Sequence, residues 1–143
     1  MPDQPVLHSR RSLTLRFDIP ISRTSEFWNL LREGKFATTK CARCGAVTFP
    51  PQADCPKCMS SQFEWAELGR EATLVTFTYV QVTPASFVEN DPYIVAIGEF
   101  SGGVKVLAWL EGVKMEEAKP GMKLRIEARA AGEANPYYVF VPG

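Results

Sequence analysis

The sequence has no long apolar run. A helix that crosses a membrane needs roughly 20 consecutive apolar residues, and no apolar stretch in these 143 residues approaches that length. The first residues, MPDQPVLHSRRS, also lack the apolar middle of a secretory signal. These absences predict a cytoplasmic protein that does not enter the membrane and that works in a reducing compartment.

Charge of one sign is not in excess either. The 16 Lys and Arg residues balance 16 Asp and Glu residues, which removes the simplest argument for a nucleic-acid or anionic-membrane partner. The charges are unevenly distributed, because residues 1–70 hold ten basic and seven acidic side chains (+3) and residues 71–143 hold six and nine (−3). We therefore expect an anionic ligand to bind to the first half of the chain and not to the second.

Histidine is nearly absent. The one histidine, His8, lies in a polar stretch where we expect it to be solvated, so a Ser-His-Asp or Cys-His arrangement has almost nothing from which to be built. The sequence contains no G-x-S-x-G nucleophile motif and no phosphate-binding P-loop, and the acidic pair Glu116-Glu117 lies in a turn between strands. We therefore predict no catalytic residues and a protein that is not an enzyme.

All four cysteines are present in one short stretch, CARCGAVTFPPQADCPKC, as two Cys-x-x-Cys pairs. A tight turn lets the two thiolates of one pair reach one ion, and two such turns supply a closed tetrahedral shell at about 2.3 Å, as structural zinc requires. A closed shell leaves no position for substrate or water, so this metal would be structural and not catalytic. The ten residues between the pairs are enough for a short hairpin that brings the turns together. The predicted zinc ligands are Cys41, Cys44, Cys55 and Cys58.

Three alternatives compete with zinc. Disulfides are disfavoured by the missing secretory signal. A thioredoxin-like redox centre is also disfavoured, because it needs one Cys-x-x-Cys pair in a parallel αβ setting, and this sequence has two pairs and no such setting. Iron in a rubredoxin-like site stays open, because cysteine spacing does not distinguish it from zinc.

The stretch before the cysteines predicts an extended arm. Apolar and polar residues alternate from Leu13 to Ile19, which is the pattern of a half-buried strand, and no hairpin partner follows nearby. The arm either packs on a distant sheet of the same chain or docks on a partner.

A short amphipathic helix is predicted in SRTSEFWNLLREG. Ser22 or Thr24 is the expected N-cap, and Gly34 is the expected left-handed stop. Trp28 lies about 100° round the helix from the main apolar face, so it belongs either to the core or to a contact surface. The apolar face consists of Phe27, Leu30 and Leu31.

From residue 72 onward the chain is rich in strand signals. Ser101-Gly102-Gly103 predicts a tight hairpin, Lys119-Pro120-Gly121 predicts a turn, and Gly98 inside a strand suggests a β-bulge. Five antiparallel strands of this size favour a small closed barrel of the OB type. The predicted strands are residues 72–83, 93–100, 103–111, 122–130 and 137–142.

The predicted architecture is mainly β and has three parts. Residues 1–36 form an N-terminal arm and helix, residues 37–70 a rubredoxin-like zinc ribbon, and residues 71–143 a five-stranded OB-fold barrel.

Several motifs in this order resemble one family. The chain is similar to the zinc-ribbon plus OB-fold proteins associated with acyl-CoA, long catalogued as a domain of unknown function, and the resemblance covers roughly residues 20–140. The motifs that carry it are Phe27-Trp28, Gly34-Lys35, Phe49-Pro50-Pro51, Cys55-Pro56-Lys57-Cys58 and Glu64-Trp65.

The resemblance implies a non-catalytic accessory subunit. Family members sit beside thiolase-like or hydroxymethylglutaryl-CoA-synthase-like enzymes, or aldolases of side-chain degradation, and help to hold or pass acyl-CoA. The resemblance does not identify the residues that contact CoA. The candidates from charge alone are Arg32, Lys35 and Arg43, near the step from helix to ribbon.

Two other functions compete with this one. A nucleic-acid-binding module is the alternative, because zinc ribbons and OB-folds both bind nucleic acids, but the −3 charge of the barrel half opposes it. An independent acyl-CoA thioesterase is the other, and it predicts turnover by the isolated chain. The aromatic residues that a nucleic-acid site would use are Phe77, Tyr79, Tyr93, Trp109, Tyr137 and Tyr138, several of which strand alternation assigns to the core.

Overall fold

A computed structural model describes residue 18 and residues 20–82, 92–129 and 136–143. One helix and eight strands lie in these ranges. In chain order they are α1 (Glu26–Arg32), β1 (Ala37–Cys41), β2 (Val47–Thr48), β3 (Phe63–Glu67), β4 (Glu71–Val80), β5 (Tyr93–Phe100), β6 (Lys105–Leu110), β7 (Lys123–Arg129) and β8 (Tyr137–Pro142).

The strands form a small sheet and a closed barrel. The sheet has the order β2-β1-β3, with both pairs antiparallel, and the barrel has the order β4-β5-β6-β8-β7 and closes where β7 pairs with β4. Strands β4, β5 and β6 form a meander, while β6 and β8 are parallel. This arrangement confirms the mainly β prediction and the five-stranded OB-fold barrel, whose five predicted strands are all present.

The β-bulge is real, but its predicted place in β5 is wrong. The register between β4 and β5 shifts at Val75, between Leu74 and Thr76, so the extra residue lies on the partner strand opposite Gly98. Gly98 is needed for a different reason. A Cβ atom added there would lie 2.5 Å from Cζ of Phe140, whose ring fills the barrel against the glycine.

The predicted N-cap of the helix is also wrong. The helix begins one to three residues later than expected, with Ser25 at the N-cap in a right-handed helical conformation and with no side-chain capping bond. The backbone carbonyl of Thr24 accepts the N–H of Phe27 instead, because a turn precedes the helix. The predicted stop is confirmed, since Gly34 has φ +76°.

The helix, the ribbon and the barrel share one hydrophobic core. Phe36, which precedes β1, stacks on Phe100 with ring centroids 5.6 Å apart and meets Tyr138 at 5.2 Å. Phe27 lies 6.1 Å from Phe36 and 5.9 Å from Phe49 of the ribbon. Such offset and edge-on aromatic pairs contribute about 0.5–1.5 kcal/mol each beyond area burial. The aromatic cluster therefore joins the ribbon to the barrel.

Other predicted features have different outcomes. The turns at Ser101-Gly102-Gly103 and Lys119-Pro120-Gly121 are both present. The arm from Leu13 to Ile19 and the one histidine, His8, lie outside the described residues, apart from Asp18. The three domain boundaries stay a prediction.

No helix in the described part of the chain is long and apolar enough to cross a membrane.

Candidate metal centre and adjoining surfaces

Two backbone turns with the same hydrogen bonds place the four cysteines. In the first turn, the N–H of Gly45 donates to the carbonyl of Cys41 at 2.9 Å, and in the second the N–H of Met59 donates to the carbonyl of Cys55 at 2.9 Å. The first turn joins β1 to β2, so the short hairpin is centred on the first cysteine pair and not on the ten residues between the pairs, as the sequence had suggested.

The four sulfur atoms lie in the geometry of a metal shell. All four are within 4.8 Å of one another, and the Sγ atoms of Cys41 and Cys58, and of Cys44 and Cys55, are 3.6 Å apart. A tetrahedral zinc ion with Zn–S bonds of about 2.3 Å requires sulfurs about 3.8 Å apart, whereas a disulfide would require about 2.05 Å. The clustered cysteines form a rubredoxin-like zinc-binding site.

Backbone N–H groups lower the pKa of the first thiol of each cysteine pair. The backbone N–H groups of Cys44 and Arg43 point at the sulfur of Cys41 and lower its pKa to about 6. The N–H of Cys58 lowers the pKa of Cys55 in the same way. Hydrogen bonds to a thiolate stabilise the charged form that a metal binds. The turn that positions each pair therefore also favours its ionisation.

The last cysteine behaves differently without a metal. Although the backbone N–H of Ser60 favours its thiolate, burial and the three neighbouring thiols raise the pKa of Cys58 to about 11. Zinc binding at neutral pH therefore has to displace the proton of Cys58, which metal binding does in general. With four thiolates bound, the ion supplies structural cross-linking and retains no position for substrate.

The two turns differ at the residue that follows each second cysteine. Gly45 has φ +73°, a conformation that glycine adopts without steric cost. Met59 has φ +58° at the equivalent place, and its side chain is 79% exposed. A residue with a Cβ atom costs roughly 1–2 kcal/mol in this region. The second turn is consequently the more strained of the two.

Buried hydroxyl groups tie the ribbon strands to the loop between the cysteine pairs. The hydroxyl of Thr39 accepts the N–H of Gln52 at 2.8 Å, and the hydroxyl of Thr38 donates to the carbonyl of Thr48. Both threonines are fully buried. A buried polar group without a partner costs about 1–3 kcal/mol, so these bonds fix the loop that leads to the second pair.

Arg23 connects the turn before the helix to the second cysteine pair. Its guanidinium donates to the carbonyl of Ser61 at 2.6 Å, lies 3.5 Å from the carboxylate of Asp54, and stands over the ring of Phe63 at 5.4 Å. These partners lie on both sides of the second pair. Sequence analysis missed this contact, because nothing local to Arg23 indicates partners more than 30 residues away.

The three candidate CoA contacts differ in their surroundings. Lys35 is paired with Glu33 at 2.9 Å, and that hydrogen bond raises the pKa of Lys35. Arg32 donates to the side-chain oxygen of Asn29 at 3.2 Å. Arg43 is exposed on the first cysteine turn, and no hydrogen bond or ion pair joins its side chain to the described residues. Of the three, Arg43 is the one without a side-chain partner among the described residues.

The outward-facing side chains of β5, β6 and β8 form an apolar surface, which we name the outer barrel face. The alternate residues of these strands, such as Ala96, Val106 and Phe140, are buried in the core, so their neighbours along each strand point outward. Sequence alternation predicted several aromatic residues in the core without naming them, and Tyr138 does pack against the core, but alternation did not single out this surface. The outer barrel face consists of Tyr93, Val95, Ile97, Leu107, Trp109, Tyr137 and Val141.

A four-cysteine ribbon packed against an OB-type barrel defines the class of this protein. Residues 28–64 match the family model described as "ChsH2, rubredoxin-like zinc ribbon domain", and residues 65–129 match "ChsH2, C-terminal OB-fold domain". The chain belongs to this ChsH2/DUF35 family.

Several relatives align with half or more of this chain. It is 32% identical over 95 residues to a "DUF35 domain-containing scaffold protein" of Methanocaldococcus jannaschii, covering 66% of this chain and 67% of that one. It is 31% identical over 112 residues to a protein of the same name from Pyrococcus furiosus, covering 78% and 82%. A shorter match, 29% over 73 residues and about half of each chain (51% and 49%), is to "Benzoylsuccinyl-CoA thiolase subunit BbsA" of Thauera aromatica.

A solved structure shares the fold. The structure titled "Ltp2-ChsH2(DUF35) aldolase" superposes with a TM-score of 0.74 over 87% of this chain and 98% of the matched chain, at 24% identity. At this identity the likeness establishes the fold alone.

Proposed function

We propose that this protein is a non-catalytic accessory subunit that binds acyl-CoA and associates with a thiolase-like or hydroxymethylglutaryl-CoA-synthase-like enzyme. The observation that carries the proposal is the four-cysteine shell, in which thiolates fill every position of a tetrahedral metal. A metal so enclosed holds a structure together and does not activate a substrate. Relatives named as scaffold proteins and as a thiolase subunit support the same role.

Acyl-CoA binding rests on the basic first half of the chain. Arg43 projects from the first cysteine turn, and Arg32 and Lys35 lie at the end of the helix. Arginine is well suited to phosphate because its planar guanidinium donates two parallel hydrogen bonds. Lys35 is the weaker candidate of the three, because Glu33 already neutralises it.

The nucleic-acid alternative fits the outer barrel face poorly. OB-folds usually bind nucleic acid over their second and third strands, which are β5 and β6 here. A strand-binding groove needs cations for phosphates as well as aromatic rings for bases. Lys105, at one end of this face, is already paired with Glu99 at 3.6 Å, and the face itself is mostly aliphatic.

An affinity purification tests the association. The tagged protein, incubated with extract of its own source cells, should recover a thiolase-superfamily enzyme identified by mass spectrometry. The isolated chain should leave a panel of acyl-CoA esters unhydrolysed. Recovery of no such enzyme, or turnover by the chain alone, would contradict the proposal. The expected cytoplasmic location stays a prediction.

A calorimetric titration tests the ligand with a matched pair of variants. Arg43 and Lys57 occupy equivalent positions in the two Cys-x-x-Cys turns, and both are exposed. Arg43→Ala should weaken binding of CoA esters, whereas Lys57→Ala should not. Equal affinities in both variants would remove Arg43 from the site. Salt-sensitive binding of single-stranded oligonucleotides, without any response to CoA esters, would favour the nucleic-acid alternative.

A further inference from the structure

The outer barrel face breaks the ordinary pattern of a barrel exposed to water. Strands that face solvent on one side alternate apolar and polar residues, and β7 follows this rule with Lys123, Arg125, Glu127 and Arg129 on its outer side. On β5, β6 and β8, the outer side is apolar as well, apart from Glu99 and Lys105 at one end. Leu107 is 60% exposed and Tyr137 is 45% exposed. Exposed apolar patches of this kind mark interaction sites.

The apolar surface continues from the barrel onto the helix and the ribbon. A groove of about 580 Å³ runs beside Leu107, Trp109 and Tyr137 and is bounded by Trp28 of the helix. A second groove, of about 160 Å³, lies on the other side of Trp28 and reaches Pro50 and Pro51, which we name the ribbon prolines. Trp28 and Tyr138 border both grooves. The outer barrel face, Trp28 and the ribbon prolines therefore form one continuous surface.

Charges at the rim of the surface are paired within the chain. Lys105 and Glu99 form an ion pair at one end, and Arg129 bridges Glu111 at 3.3 Å and Glu127 at 2.6 Å on the β7 side. An occupant therefore meets an apolar centre with an internally neutralised rim, which is the composition of a protein–protein interface. A charged polymer or an anionic membrane would meet no unpaired cation in these rim pairs.

The size of the surface decides between a second copy and a larger partner. Three strands at about 4.8 Å spacing and five residues at about 3.3 Å cover roughly 240 Å², or about 500 Å² when doubled for side-chain relief. Each partner in a standard interface buries about 800 Å². Two copies joined over the barrel face alone would therefore bury too little. A larger partner that also covers Trp28 and the ribbon prolines would bury enough.

We infer that the outer barrel face, extended over Trp28 to Pro50, is the surface on which the thiolase-like partner subunit docks. The inference rests on the proposed function and adds to it the surface that makes the contact. The barrel is closed and offers no strand edge among β4–β8, so the partner packs against side chains and does not add a strand. Trp28, Trp109 and Tyr137 are of the residue types that most often dominate binding energy at interfaces.

Purified enzyme and three variants test the surface. The thiolase-superfamily enzyme recovered with the wild-type chain is purified, and its affinity for each immobilised variant is measured by biolayer interferometry. Leu107→Lys and Tyr137→Lys should each weaken binding by about tenfold or more, because each buries a charge at the centre of the contact. Both positions are exposed, so thermal melts should match that of the wild type. The control is Val82→Lys, since Val82 is 90% exposed and lies outside both grooves, and it should bind like the wild type.

Each outcome separates the two proposals. If the enzyme binds both variants as tightly as the wild type, the docking surface is wrong and the accessory function stands. If the wild-type chain recovers no such enzyme, the function fails and the inference fails with it. If sedimentation finds a wild-type dimer that Leu107→Lys turns into monomers, a second copy covers the face and the inference is overturned.

Discussion

Gly98 and Phe140 meet inside the barrel in a contact that only glycine permits. A Cβ atom at position 98 would lie 2.5 Å and 2.9 Å from two carbons of the Phe140 ring, and Phe140 is completely buried. The ring also packs 6.3 Å from Phe100, next to the aromatic cluster that joins the ribbon to the barrel. A side chain added at Gly98 therefore disturbs the packing at the centre of the molecule.

Gly98→Ala should destabilise the protein by about 1–3 kcal/mol, because the added methyl group overpacks a core that is already full. Chemical denaturation gives the change in the free energy of unfolding. Phe140→Leu in the Gly98→Ala background should recover part of the loss, because the smaller side chain makes room for the methyl group. Additive effects of the two substitutions would show that the contact is not the cause.

The two cysteine turns offer a second test at the residue scale. Gly45→Ala should cost about 1 kcal/mol through the backbone alone, because a Cβ atom there would touch nothing within 4 Å. Met59→Gly, at the equivalent position, should leave stability unchanged or raise it slightly. Glycine removes the backbone strain of the folded state, and this gain offsets the loss of stability that comes from the greater conformational freedom of the unfolded chain. Thermal unfolding of the zinc-loaded protein compares the two. A loss of stability in Met59→Gly similar to that in Gly45→Ala would mean that the Met59 side chain contributes a contact of its own.

At the scale of elements, the zinc ribbon depends on its metal more than on its own hydrophobic core. Its three strands have five, two and five residues, too few to bury much apolar surface. Phe36, just before β1, and Phe49 pack instead on the helix and the barrel. The four thiolates hold the remaining part, where the two turns meet.

Cys41→Ser should therefore abolish stoichiometric zinc binding and loosen the ribbon, because structural zinc sites contribute folding free energy directly. Metal analysis should find one zinc ion per wild-type chain and almost none in the variant, and the melting temperature should fall. Ser61→Ala, a substitution of an exposed serine beside the second turn, is the control and should retain zinc. A Cys41→Ser variant that keeps its fold and its melting temperature without metal would contradict a structural role for the site.

Local signals were sufficient to predict most of the elements. Cysteine spacing indicated the metal shell, strand periodicity indicated all five barrel strands, and Gly34 marked the end of the helix. Features that depend on contacts distant in sequence were not predictable. The role of Gly98 is decided by Phe140, 42 residues later, and the position of Arg23 by Asp54 and Ser61.

The sequence pattern also failed to distinguish a strand that is buried on both sides from a strand that exposes an apolar side. Strand β6 carries Leu107 and Trp109 on its outer side, so every residue after Lys105 is apolar, which by pattern alone indicates a strand buried on both sides. Only the closed barrel, which places these residues on the outside, reveals an uncovered face.

At the scale of the whole molecule, the zinc site and the aromatic cluster fix three parts into one unit. The ribbon presents Arg43 and the ribbon prolines, the helix presents Trp28, and the barrel presents its outer face. A scaffold subunit needs such a rigid arrangement, because a contact surface built from three elements binds well only if the elements are preorganised.

The most direct test of the account is a steady-state assay of the purified thiolase-like partner with its acyl-CoA substrate, titrated with this protein. The account predicts that activity rises and saturates at a fixed molar ratio, that the Leu107→Lys variant requires more protein to reach the same activity, and that the protein alone gives no turnover. Activity of the partner that is unchanged at every ratio, or turnover by this protein without the partner, would contradict it.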